Sequence, residues 1–169
     1  RVLTTRIAYL IGEKGVSPSE IMAITFTNKA AGEMKERLAA LVGDISEMWV
    51  STIHSMCVRI LRRDADKIGY DKDFTIYDET DKDKVLKRVF ETLGYDADKL
   101  LKSAKNVISN AKNDCVDAER FKTENAGLKF VQEFYNVYKE YENQLCRSNA
   151  MDFDDLLYKT YTLFCEKPE

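Results

Sequence analysis

Phe26, Thr27, Asn28 and Lys29 stand in succession and combine an aromatic face, two small polar groups and a cation. That set suits a nucleic-acid strand, with a base stacked on the ring and the backbone held by the polar groups. His54, the only histidine, follows two residues after Thr52. Taken singly, such a histidine reads as structural more readily than as a functional group. Asp152, Asp154 and Asp155 crowd into four positions. Carboxylates gather in the first turn of a helix because they oppose the positive end of its dipole. No complementary ligands accompany them, so capping is preferred over a metal site. Arg59, Arg62 and Arg63 lie on the polar side of a helical pattern and read as a solvated face. No Ser-His-Asp, Cys-His or Cys-x-x-Cys set occurs. Cys57, Cys115, Cys146 and Cys165 are scattered without metal-ligand spacing and are expected to be reduced thiols.

These side chains must be positioned by the elements around them. Ile21 to Phe26 is a short, nearly all-apolar run, as expected of a strand buried on both faces in a parallel sheet. Thr27 and Asn28 then stop it with good capping side chains. From Lys29 the spacing becomes helical, with Ala30, Ala31, Met34, Leu38 and Leu41 in one stripe. Glu33 and Arg37 lie four apart on the other face and can pair. The pattern is strand, tight turn, helix. In open α/β sheets ligands bind at such strand ends, near helix N-termini whose free N–H groups attract phosphates. A second unit of the same kind follows. Met48 to Ser51 reads as a strand, Thr52 as a cap, and Ile53, Cys57, Ile60, Leu61 and Ile68 as the buried stripe.

Before these units, Leu3, Ile7, Leu10 and Ile11 share one face of an opening helix over residues 1–11. It has no cap and no preceding strand, so the chain is expected to begin part-way through a longer protein. Gly12 to Ser19 reads as a loop. Beyond Gly69 to Lys72 the character changes. Phe74 to Tyr77 is one brief β-like run, and all later patterns are helical. Thr80 with Asp83 suggests a capping box. Val85, Leu86, Val89, Phe90 and Leu93 form a stripe closed by Gly94. Leu100, Leu101, Ala104, Val107 and Ile108 form the next, and Asn113 to Glu119 reads as a polar loop. Phe130, Val131, Phe134, Val137, Tyr138, Tyr141 and Leu145 define a long helix whose aromatic row reads as core. Ser148 to Ala150 is a break. Asp152 then caps a last helix with Phe153, Leu156, Leu157, Tyr161 and Phe164 inward.

T-F-T-N-K-A-A-G-E-M, followed by V-S-T-I-H-S-M-C-V-R-I-L-R-R, resembles the UvrD/Rep/PcrA group of superfamily 1 DNA helicases, most of all the PcrA type. The two blocks correspond to that group's motifs Ia and Ib, and M-D-F-D-D-L-L to the segment preceding its Walker B strand. The resemblance implies an α/β fold. Residues 1–70 would be part of a RecA-like motor domain (1A), 71–147 a helical insertion (subdomain 1B), and 148–169 a return helix toward 1A. It implies an ATP-dependent 3′-to-5′ helicase that moves on single-stranded DNA and unwinds duplex in repair and replication. Phe26 would stack on a base, with Thr27, Asn28, Lys29, Thr52 and His54 along the strand's path. The group usually has Phe at the position of Ile53. Its phosphate loop, G-x-x-x-x-G-K-T, would lie just before R-V-L-T-T-R-I, and neither that loop nor the Walker B acids occur in these residues. ATP and magnesium are therefore expected for the whole enzyme and not for this stretch. Its partners would be DNA and the remaining motor domains of the same polypeptide, in the cytoplasm.

Composition agrees with a globular chain: 169 residues, 44% hydrophobic and 33% charged. No apolar run approaches membrane-spanning length. Residues 1–70 carry 10 Lys and Arg against 8 acids, and residues 71–169 carry 16 against 21. Any DNA contact must come from a local groove rather than from the whole surface. Two other readings stay open: a non-catalytic helical interaction module, and the same region of an AddA/RecB-like helicase–nuclease.

Overall fold

The computed structural model describes residues 2–168. The chain divides into two compact units, residues 1–58 and 59–169.

The first unit opens with α1 (Val2–Gly12), followed by a short 3-10 turn (Pro18–Glu20). β1 (Met22–Thr25) leads into α2 (Asn28–Val42), and β2 (Trp49–Thr52) leads into α3 (Ile53–Asp64), whose second half belongs to the second unit. β1 and β2 pair in parallel, with Met22 opposite Trp49 and Thr25 opposite Thr52. Ile7, Ile21, Ala23, Leu38, Met48 and Val50 form the core, with Met34 and Leu10 packed against it. Only one face of β1 is buried: Ala23 is 3% exposed, whereas Met22 and Ile24 are 52% and 39% exposed. The sequence suggests burial on both faces. Here α1 and α2 supply apolar side chains to the Ala23 and Val50 face alone, and a parallel sheet needs cover on both. Leu41, expected in the α2 stripe, is exposed because it falls outside the arc that meets the sheet.

In the second unit, a 3-10 turn (Ala65–Ile68) ends at Gly69, whose φ of 84° lets the chain turn away. β3 (Thr75–Tyr77), α4 (Glu79–Leu93), α5 (Ala97–Asn113), α6 (Ala118–Glu124), α7 (Val131–Arg147), β4 (Ala150–Asp152) and α8 (Phe153–Glu166) complete it. The apolar stripes of α4, α5 and α7 meet in one core containing Val85, Leu86, Val89, Phe90, Ala104, Ile108, Tyr138 and Tyr141. The aromatic row of α7 is thus core.

Four details differ from the sequence expectation. β4 pairs in parallel with β3, Thr75 opposite Ala150 and Tyr77 opposite Asp152. Three residues are too few to show an alternating pattern, so β4 was hidden in the sequence. Asp78, not Thr80, caps α4 by accepting from the Asp81 N–H at 2.9 Å. The expected polar stretch from Asn113 to Glu119 runs into α6, capped by Asp117. In α8 the inward stripe is Asp155, Leu156, Thr160 and Leu163, while Phe153, Tyr161 and Phe164 are each more than half exposed. A buried carboxylate rotates that helix away from the face its aromatics suggest.

Candidate nucleic-acid interface

The parallel pairing of β1 with β2 brings the two candidate segments together. Thr25 and Thr52 are register partners, so the residues that follow each of them leave the same edge of the sheet. Phe26, Thr27, Asn28 and Lys29 share that edge with Ile53 and His54. Phe26 is 98% exposed and is no part of this unit's core. Thr27, Asn28 and Lys29 are exposed, and His54 is half-buried. Ile53 is 37% exposed.

Both helices at this edge are capped by threonine. Thr27 Oγ1 accepts from the Ala30 N–H at 3.1 Å, starting α2 at Asn28. Thr52 Oγ1 accepts from the Ser55 N–H at 3.2 Å and lies 2.8 Å from Ser55 Oγ. Thr52 is only 8% exposed, so its hydroxyl is spent inside the chain and its role is to hold the turn. Nothing in the sequence marks Ser55 except its place three residues beyond a threonine cap.

The electrostatics of the edge set its two helices apart from α4 to α8. Neither α2 nor α3 has an acidic residue in its first turn. α4, α5, α6, α7 and α8 all do. A helix N-terminus carries about half a positive charge, and at α4 to α8 a carboxylate offsets it. At α2 and α3 that charge is left for an anion, with Lys29 beside it. Arg62 and Arg63, further along α3, are engaged locally: Arg62 donates to the Lys72 carbonyl at 2.8 Å and sits 4.0 Å from the Phe74 ring centre, and Arg63 pairs with Asp64.

The sequence profile of the UvrD/REP helicase N-terminal domain matches residues 1–169. The chain belongs to this helicase family. Proteins named ATP-dependent DNA helicase PcrA are similar over the whole chain: 51% identical in Staphylococcus aureus and 49% in Staphylococcus epidermidis. The chain spans 23% of the length of each. Within the UvrD/REP family segment, the described residues contain no group of three or more His, Cys, Asp or Glu able to hold a metal ion. Asp152 instead caps α8, in a reciprocal arrangement with Asp155. All four cysteines are free thiols.

Proposed function

We propose that this chain is the N-terminal part of an ATP-dependent DNA helicase that moves 3′ to 5′ along single-stranded DNA and unwinds duplex in repair and replication. In this reading residues 1–70 belong to a RecA-like motor domain, residues 71–147 form the inserted subdomain 1B, and residues 148–169 lead back toward the motor domain. The observation that carries it is Phe26, a large aromatic ring almost wholly in water at the carboxyl edge of a parallel sheet. Exposing such a ring forgoes the free energy of burying it, and a stacked base recovers it. The acid-free N-termini of α2 and α3, with Lys29, suit the adjoining phosphates. Thr27 and Thr52 shape the two turns, Asn28 and His54 line them, and the partner is single-stranded DNA with duplex ahead of it.

ATP and magnesium would serve the whole enzyme as its energy source. The 169 residues contain no G-x-x-x-x-G-K-[ST] sequence, so they do not fit the nucleotide phosphates. Their contribution is one side of a grip on the strand. Among the described residues no helix is long and apolar enough to cross a membrane.

One aromatic platform and a few backbone contacts, set against the entropy of association, leave weak binding, on the order of 10⁻⁴ M. Fluorescence anisotropy with a labelled single-stranded oligonucleotide should find that affinity at low salt and its decline as salt rises. Phe26→Ala should weaken it by about 1–3 kcal/mol. Equal affinity for wild type and variant would remove Phe26 from the interface.

A further inference from the structure

The second unit buries a knot of charges along the seam between α8 and the helices it packs on. Lys112, from α5, is fully buried, with its Nζ 2.7 Å from Glu142 Oε1, 2.8 Å from Asp155 Oδ1 and 3.0 Å from Asp152 Oδ2. Lys82, from α4, lies 2.8 Å from Asp154 Oδ2 and 3.5 Å from Asp152 Oδ2. Lys159, from α8 itself, lies 2.7 Å from Glu142 Oε2. Hydroxyls complete the shell: Tyr141 donates to Asp152 Oδ2 at 2.9 Å and Ser109 to Asp154 Oδ2 at 2.7 Å. Tyr138 donates away from the knot, to the Val116 carbonyl. The rings of Tyr70 and Tyr158 lie within 6 Å of the Lys159 ammonium.

The charges do not balance. Lys82, Lys112 and Lys159 face Asp152, Asp154, Asp155 and Glu142, three cations against four carboxylates. Asp154 and Glu142 keep 19% and 21% of their side chains exposed, whereas Asp152 and Asp155 are wholly out of water. A carboxylate so buried escapes the cost of an excess charge by taking up a proton. The geometry marks where the proton belongs. Asp155 Oδ1 and Glu142 Oε1 are buried and touch Lys112, yet neither has an aligned hydrogen bond. Every oxygen of Asp152, by contrast, accepts one: Oδ1 from the Asp155 N–H at 2.8 Å, and Oδ2 from Tyr141 and Lys112.

We propose that the knot is a one-proton clasp: it holds a single proton on the Asp155–Glu142 side of Lys112, and α8 is held more weakly once that proton leaves. Burial pushes the Asp155 carboxyl up to about 7, with Glu142 and Asp152 adding to the effect against the pull of Lys112. Burial opposes charge on Asp152 and Glu142 too, but Lys112 with Lys82, and Lys112 with Lys159, outweigh it and hold both below the usual carboxylate range. In the unfolded chain Asp155 ionises near 3.8. Between that value and about 7 the folded chain therefore binds one proton that the unfolded chain does not. The stabilisation is full below the unfolded value, falls as pH rises, and levels off above about 7.

The test uses the whole chain. A carboxyl ¹³C NMR titration should show Asp155 titrating near pH 7, with Asp152 and Glu142 ionised there. In urea unfolding, the unfolding constant should rise by up to about tenfold per pH unit between pH 5 and 7 relative to Asp155→Asn, which carries no such proton. Comparing wild type with the variant cancels the titrating groups outside the knot. If Asp155 and Glu142 both titrate below pH 5, or if the two proteins run parallel in pH, the proposal is wrong. Should Asp155→Asn fail to fold, the wild-type titration decides by itself.

Discussion

At the scale of single residues, exposure separates roles that sequence leaves mixed. Phe26 and Phe134 both belong to apolar patterns, yet one is 98% exposed and the other 6%. Ring chemistry then predicts which substitutions Phe26 tolerates. In a full-length enzyme carrying this segment, Phe26→Trp should retain much of the unwinding rate, because the indole offers a larger stacking face. Phe26→Leu should lose it, and basal ATPase activity should hardly change in either. Unwinding rates of the pair decide the matter: rescue by Leu and not by Trp would mark a packing role. Thr52 shows the opposite relation between chemistry and place. Its hydroxyl has the right type for a backbone contact but is held by Ser55, so it positions the turn that presents His54.

At the scale of elements, caps and registers do the positioning. Threonine caps without acids begin the two helices at the candidate interface, while aspartates cap α4, α5, α6 and α8. Thr80 is the cap that the sequence suggests for α4, but Asp78 is the one that meets an orphan amide. Asp78→Ala should cost about 1 kcal/mol in urea unfolding, and Thr80→Ala only a few tenths. Equal losses would show that α4 begins elsewhere. Gly94, at φ 68°, accepts the left-handed turn that ends the same helix and lets the chain reverse into α5.

At the scale of the whole molecule, what these residues contain sets what they can do. They hold the proposed strand-binding edge and no phosphate loop. Calorimetry with Mg-ATP should give no binding in the micromolar range, since nothing in the chain supplies the β- and γ-phosphate contacts. Micromolar affinity would require a nucleotide site that these residues do not announce. The net charge of −3 bears on the same point. The proposed attraction for DNA must be local, and the acid-free first turns of α2 and α3 would supply it without a basic surface.

Local chemistry is what the sequence by itself determined. The spacing of Ala31, Met34 and Leu38, the threonine caps and the stripes of α4, α5 and α7 each follow from interactions within a few residues, so they were legible. So were Phe26 to Lys29, because a strand end followed by a cap and a helix is a local arrangement. Tertiary structure decided what depends on distant partners. Whether both faces of β1 are covered depends on helices elsewhere in the chain, not on β1. β4 exists because β3, more than 70 residues earlier, pairs with it. Asp155 reads in sequence as a first-turn carboxylate. It becomes a buried, proton-holding group only because helices from elsewhere in the chain close over it, and burial then outweighs the pull of Lys112. Ionisation and burial are properties of a surrounding volume, and linear spacing carries no record of which side chains share it.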